Sequence, residues 1–256
     1  MPHLSETVGA YGAYEFLQEL EASSKTAYPV DELVEIMSRY GASDPQATIE
    51  DFVAASILHR DGEQFGLTVL GIKTYYLLDA INGGDIRDVY RRLSRLDSTL
   101  RTYELIREGM TKAFLQNINE RPGFSRLYFC SPWISLDRKQ QEMLTHAVIR
   151  VEKARGVQPE ILVITRPEEG TIETIPKTLK PFQDLGASIF LNRRLHTKLY
   201  IREPDRSGGY IMAIVGSQNL TKSNYLELGI RINSDNQVID HLIAYFWEIT
   251  NYSHEV

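Results

Sequence analysis

The sequence predicts an α/β protein of two parts, a small, mainly helical front and a larger α/β sandwich behind it. Three observations carry that expectation. In the first 84 residues apolar side chains recur at the helical period, with one hairpin signal among them. From residue 126 onward short runs rich in Val, Ile, Leu, Phe and Tyr alternate with amphipathic stretches, the pattern of strands interleaved with helices. The charge divides near the same boundary. Residues 1–85 hold four basic and fourteen acidic side chains, a net −10, whereas residues 86–256 hold 24 basic and 20 acidic, a net +4. A chain of 256 residues has the length of one or two domains, and the asymmetry predicts two with different partners.

In the front part, residues 6–22 place Phe16, Leu17 and Leu20 at helical spacing before a Ser-Ser-Lys-Thr break. Pro29 opens a second helix, with Asp31 and Glu32 in its first turn and Gly41 at its C-terminal end. Asp44 or Ser43 caps a third helix over roughly 45–57. Asp61-Gly62 is a hairpin turn between short apolar runs, and Thr68 begins a longer helix. Helix, helix, helix, hairpin and closing helix resemble a winged-helix domain over 1–84. Such a domain implies DNA binding by the third helix. Here that stretch, Ala47 to Ser56, contains no Lys or Arg, and phosphate contacts need them. The charge favours a protein-contact surface instead.

Asn82-Gly83-Gly84 predicts a linker, and residues 85–109 a helical connector with Ile86, Val89, Tyr90, Leu93 and Leu96 on one stripe. Arg87, Arg91, Arg92 and Arg95 crowd the same helix. They read as a phosphate-tracking face or as a solvated face with pairs such as Asp88 to Arg92. Residues 110–256 form the second domain. A buried strand ends at Ser131-Pro132, and a helix over 136–155 turns Met143, Leu144, Ala147 and Val151 inward. Strands follow at 159–167, 187–192, 195–202, 210–216 and 226–232, with a loop and helix at 171–185 and a closing helix over 239–249.

Composition excludes several classes. Hydrophobic residues at 43% and charged residues at 24% are ordinary globular values. No apolar run approaches the ~20 residues of a membrane span. The first residues lack a basic region followed by an apolar core, so no secretory signal is expected. Cys130 is the single cysteine, which rules out an intramolecular disulfide and a cysteine-based zinc site. A cytoplasmic protein without membrane contact is the expectation.

The chemistry gathers between residues 195 and 228. His196 and Lys198 are two apart in an apolar run, and on a strand that spacing points both to one face. A neutral imidazole can attack a phosphoester, and a fixed ammonium can neutralise its non-bridging oxygens. Gly216-Ser217-Gln218-Asn219 follows, and then Glu227. H-T-K followed by G-S-Q-N, in this order on strand, turn and strand, resembles the phospholipase D superfamily over roughly residues 110–256. One position departs from the motif: five residues after Lys198 stands Glu203 where the superfamily has Asp, with Asp205 two residues on, so either acid can fill the supporting role.

The resemblance implies a phospholipase D-like α/β sandwich and a reaction without metal or cofactor. His196 attacks phosphorus and forms a phosphohistidine, while a second histidine protonates the leaving oxygen and then activates water. Lys198 and Asn219 hold non-bridging oxygens, Ser217 assists, and Glu227 orients and charge-balances an imidazole. Neither His146 nor His241 has a lysine two residues on, so the chain carries one motif. A homodimer is the direct way to bring a second histidine, and a heteromeric partner is the alternative. Single-motif members are typically nucleases, which implies a phosphodiesterase acting on nucleic acid, DNA ahead of RNA, in a setting such as restriction or phage defence. A phospholipid or small-phosphodiester hydrolase and a non-catalytic assembly subunit are the competing classes. Trp133 reads as a base-stacking residue at the pocket mouth or as core packing. Arg193 and Arg194 read as phosphate contacts or as a solvated strand end. The acidic front is the expected seat of a protein partner.

Overall fold

Capping chemistry sets the helices of the front part. In the computed structural model, which describes residues 10–23, 25–96, 102–107, 109–168, 175–204, 210–221 and 227–256, helix α1 spans Ala10–Ala22 and strand β1 Tyr28–Pro29. Helix α2 (Val30–Arg39) starts behind Pro29, and Gly41, at φ +83°, follows its end in the left-handed region that favours glycine. Helix α3 (Pro45–Ala54) is capped by Asp44, whose carboxylate accepts from Ala47 N. Strands β2 (Leu58–Asp61) and β3 (Gln64–Leu67) form the expected hairpin, joined to β1 in the order β1-β3-β2. Thr68 caps α4 (Val69–Ile81) through Gly71 N. Three helices and a three-stranded sheet in this order have the layout of a winged helix. The exposed side of α3 carries Glu50, which pairs with Arg60 on the hairpin at 3.1 Å.

After α4 the structure departs from the expected helical connector. Helix α5 (Ile86–Leu96) is amphipathic as read, but Tyr103–Ile106 is strand β4 at the edge of the large sheet. Its pairing with β12, far along the chain, overrides the local helical period. On α5 the solvated-face reading holds for two arginines: Arg91 and Arg92 lie 3.2 and 2.6 Å from the carboxylate of Asp88. The side chain of Arg95 lies outside the described residues.

The second part continues with α6 (Met110–Glu120), β5 (Phe124–Cys130), β6 (Ile134–Ser135), α7 (Arg138–Arg155) and β7 (Glu160–Thr165). A 3-10 turn at Lys177–Leu179 leads into α8 (Lys180–Gln183) and β8 (Ser188–Leu191). Then come β9 (Leu199–Pro204), β10 (Met212–Gly216), β11 (Leu220–Thr221), β12 (Gly229–Asn233), α9 (Asn236–Asn251) and β13 (His254–Glu255). The large sheet has the order β13-β8-β7-β5-β9-β10-β12-β4. Strands β5, β7 and β8 are parallel, β9 runs against β5, and β10 runs against β9, so β5, β7, β8 and β10 share a direction. Mixed order and two helical layers make this an α/β fold.

Side-chain alternation divides the sheet between two cores. Leu127, Phe129, Ile161, Val163, Tyr200, Met212 and Ile214 face the core under α6, α7 and α8. Tyr128, Cys130, Leu162, Ile164, Leu199, Ile201, Ala213 and Val215 face the other. That second core is shared with α9 and with Phe16, Leu33, Phe52 and Leu77 of the front part, so the winged-helix unit joins α9 in covering that face, with α4 packed against β10 and α9. Polar contacts fix the seam. Lys73 Nζ lies 3.4 Å from Asp235 Oδ2, and Tyr103 donates to the same carboxylate at 2.7 Å. Burial pushes His241 below the usual histidine value, which keeps the ring neutral. Its Nε2–H therefore donates to Ala55 O at 3.1 Å while Nδ1 takes the Thr74 hydroxyl at 3.0 Å. Among the described residues no helix is long and apolar enough to cross a membrane.

Candidate active site

The strand-end residues converge on the carboxyl edge of β5, β7 and β10. His196 and Lys198 are brought together there, although not as members of a strand. Strand β9 begins at Leu199, and residues 195–198 form an irregular lead-in whose turn is closed by Leu195 N on Asn192 O at 3.2 Å. The ladder stops because β10 ends at Gly216, whose N–H makes the last bond across, to Lys198 O at 3.3 Å. The side chains still meet: Lys198 Nζ lies 3.3 Å from His196 Nε2 and donates to His196 O at 2.7 Å. Lys198 is only 6% exposed, whereas the His196 ring faces solvent.

Gly216 makes the following turn possible. A Cβ there would stand 2.4 Å from Leu228 O and 2.7 Å from Met110 Sδ, so no larger residue fits. Beyond it Ser217 Oγ donates to Glu227 Oε2 at 2.5 Å and accepts from Leu228 N at 3.2 Å. Gln218 turns inward, where its carbonyl takes the Tyr200 hydroxyl at 2.6 Å. Asn219 Oδ1 is buried without a hydrogen-bond partner. A half-turn of this amide presents its NH2 at the same place, so the position can meet an incoming phosphoryl oxygen at small cost. Glu227 bonds Ser217 rather than His196, and its charge opposes the effects of burial and Arg166 on Lys198.

The supporting acids separate. Glu203 sits at the far end of β9, where it accepts from the Tyr128 hydroxyl at 2.5 Å and lies 3.7 Å from Arg126. It buttresses the strand and does not reach the imidazole. Asp205 lies outside the described residues. Arg193 and Arg194 are exposed on the loop after β8, at the same edge as the site, with Arg194 N bonded to Asn192 Oδ1 at 2.9 Å. Trp133 is 54% exposed beyond the end of β5, which removes the core-packing reading.

One residue that sequence reasoning missed stands at the centre. Arg166 follows β7, and its Nε donates to Leu195 O at 2.6 Å. Its positive charge reaches both members of the pair. Burial, then Lys198, then Arg166 push His196 below the usual histidine value. Burial and Arg166 likewise lower Lys198. The imidazole is thus neutral near pH 7, with its lone pair available. The front part also reaches the site: Gly83, at φ +100°, has the Cε1 of His196 4.0 Å from where a Cβ would be. Among the described residues no three His, Cys, Asp or Glu side chains form a cation-binding cluster. Cys130, buried beneath Lys198, has its thiol pushed up by burial and is no nucleophile.

The electrostatics give a direct expectation. In an NMR titration of the His196 ring, the midpoint falls below the usual value of about 6.5. Lys198→Met removes a neighbouring positive charge and raises it. A midpoint that stays put in the variant would contradict the charge coupling between Lys198 and His196.

No protein-family model matches the chain, and no curated protein matches it. Among solved structures it is similar to Nuc, a phospholipase D family member from Salmonella typhimurium, with a TM-score of 0.42 and 14% identity over 60% of this chain and 97% of that one. It is similar to NucT from Helicobacter pylori, with a TM-score of 0.40 and 11% identity over 60% of this chain and 98% of that one. TrmBL2, an archaeal chromatin protein whose structure shows a novel mode of DNA binding, is similar over 95% of this chain and 94% of that one, with a TM-score of 0.36 and 12% identity.

Proposed function

We propose that the protein is a metal-independent phosphodiesterase acting on nucleic acid, a DNA endonuclease that works through a phosphohistidine as a homodimer. The observation that carries the reading is the 3.3 Å approach of Lys198 Nζ to a neutral His196 Nε2 at the open edge of the sheet. A phosphodiester entering there draws the ammonium onto a non-bridging oxygen and frees the Nε2 lone pair. The imidazole attacks phosphorus, a P–N bond forms, and the P–O bond to the leaving nucleoside breaks. The leaving oxygen takes its proton from the His196 of a second copy. Water then attacks phosphorus, gives its proton to that second imidazole, and the P–N bond breaks. Two identical imidazoles side by side share their protonation, so one serves as nucleophile while the other carries the proton. Ser217 and Asn219 add donors to the phosphoryl oxygens, with Ser217 held by Glu227. The acidic front part then contacts a protein partner rather than DNA, as its lack of cations on α3 supports. Restriction or phage defence is the setting this reading favours.

The test is incubation with plasmid, single-stranded DNA and RNA in EDTA. Cleavage is expected, and His196→Ala is expected to lose it by at least about 10³-fold. No cleavage of any nucleic acid by a dimeric protein would sink the nuclease and favour a lipid phosphodiesterase or an assembly subunit. Light scattering that finds only a monomer would leave the leaving oxygen without its acid.

A further inference from the structure

Beside the catalytic pair the structure holds an exposed aromatic plane and a cation in contact with it. Trp133 stands on a short segment clamped to the neighbouring strand end. Ser131 Oγ donates to Trp133 O at 2.8 Å, and Pro132 O accepts from Thr165 Oγ1 at 3.3 Å and Arg166 N at 3.4 Å. The backbone is thus held while the indole is 54% exposed. The other tryptophan differs: Trp247 packs edge-on against Tyr128 and Phe246. The Arg166 guanidinium carbon lies 5.9 Å from the Trp133 ring centroid. Its Nε is spent on Leu195 O, which fixes the side chain, and among the described residues its terminal amines have no hydrogen-bond partner. The same guanidinium influences His196 and Lys198. The indole and guanidinium form one pair and the lysine and imidazole another, and the bond from Arg166 to Leu195 O, next to His196, joins the two.

We propose that Trp133 and Arg166 form a nucleotide subsite next to the scissile phosphate, and that the substrate is single-stranded or locally unpaired nucleic acid. The indole stacks one base, and Arg166 holds the phosphate that joins that nucleotide to the one being cleaved. An exposed aromatic face accepts any base, because every base offers a π-face. A base within a duplex has both faces covered by its neighbours and must first be unstacked. Arg193 and Arg194, on the loop after the adjacent strand β8, continue the cationic edge for the strand leading away. This inference rests on the nuclease reading and adds a strand preference to it.

Trp247→Phe leaves Trp133 as the only indole, since the chain has two tryptophans. In the His196→Ala background, with EDTA, oligothymidylate is expected to quench Trp133 emission to saturation. A blunt duplex of the same length, and an abasic phosphodiester of the same charge, are expected to bind more weakly and quench little. With Trp247 restored, Trp133→Ala is expected to lose roughly 5- to 150-fold in affinity for oligothymidylate, the span of one base–aromatic contact, and Trp133→Phe to recover part of it. Arg166→Gln is expected to weaken binding to all anionic probes and lower the salt slope by about 0.7, one phosphate contact. Equal quenching by duplex, equal binding of the abasic probe, an unaltered Trp133→Ala, or no binding at all would overturn the subsite. The two readings fail separately. Cleavage of single strands with a silent Trp133 removes the subsite and keeps the nuclease, whereas saturable quenching without cleavage keeps the subsite and removes the nuclease.

Discussion

Arg202→Met is expected to destabilise the protein by about 3 kcal/mol, the cost of removing the charge-assisted hydrogen bonds that one buried guanidinium makes to three backbone carbonyls. Arg202 is 1% exposed, the largest fully buried side chain. Its Nε and Nη2 donate to Arg121 O at 3.1 and 2.7 Å, Nη2 also to Gly123 O at 3.1 Å, and Nη1 to Tyr210 O. One side chain on β9 thereby ties the entry to β5 and the entry to β10. The planar fork suits this task because its donors point apart in fixed directions. Lysine brings a single point of donation, so Arg202→Lys is expected to recover only part of the loss. In thermal unfolding the methionine variant should melt on the order of 10 °C lower. A shift of only 1–2 °C would show that those carbonyls find other partners.

Glu248→Leu is expected to act in the opposite direction and in a pH-dependent way. Glu248 is 7% exposed, and its Oε1 has no partner. It lines a small cavity of about 50 Å³ between α9 and the front part, with Leu17, Phe52, Thr74, His241 and Tyr245 around it. Burial pushes its carboxyl up to about 8. The sign follows from linkage. Below the ordinary glutamate value of about 4.3 both folded and unfolded chains are protonated, and the residue costs nothing in pH-dependent terms. As pH rises toward 8 the unfolded chain ionises while the folded one keeps its proton, so stability falls. Above 8 the penalty is constant. At about 1.4 kcal/mol per unit, the full penalty is on the order of 5 kcal/mol. Glu248→Leu and Glu248→Gln should therefore gain over the natural protein progressively between pH 5 and 8 in urea unfolding, and level off above. A difference that does not vary with pH would mean that the carboxyl is ionised in the folded chain.

Local rules made much of this molecule readable. Asp44, Pro29, Gly41 and Thr68 announce helix boundaries through bonds that their own side chains or dihedrals determine, and Asp61-Gly62 announces the hairpin. Strand β4 was not readable, because its identity comes from a partner more than a hundred residues away and its own residues continue a helical stripe. His196 and Lys198 illustrate a partial success. Their spacing puts the two side chains together, as found, but the strand that would do so starts one residue later, where the ladder with β10 ends. Glu203 occupies the motif position and faces Tyr128, since odd positions of β9 turn toward the other core. Arg166 left no mark in the sequence. An arginine before a proline at a strand end is ordinary, and only the placement of β7 two strands from β9 brings it to Leu195 O.

The sharing of one core between the winged-helix unit and the sheet has a consequence for how this chain can be rearranged. Usually a helical module of this size behaves as a detachable part that can be traded between proteins while the enzyme behind it carries on. Here its removal would strip β10 and the inner side of α9 of the cover that α1 and α4 give them, and remove the Gly83 turn from beside His196. The two parts share one core and are expected to unfold together. Any descendant that changes what the front part recognises must do so by altering its outer surface, with the inner one held constant by the sheet it protects.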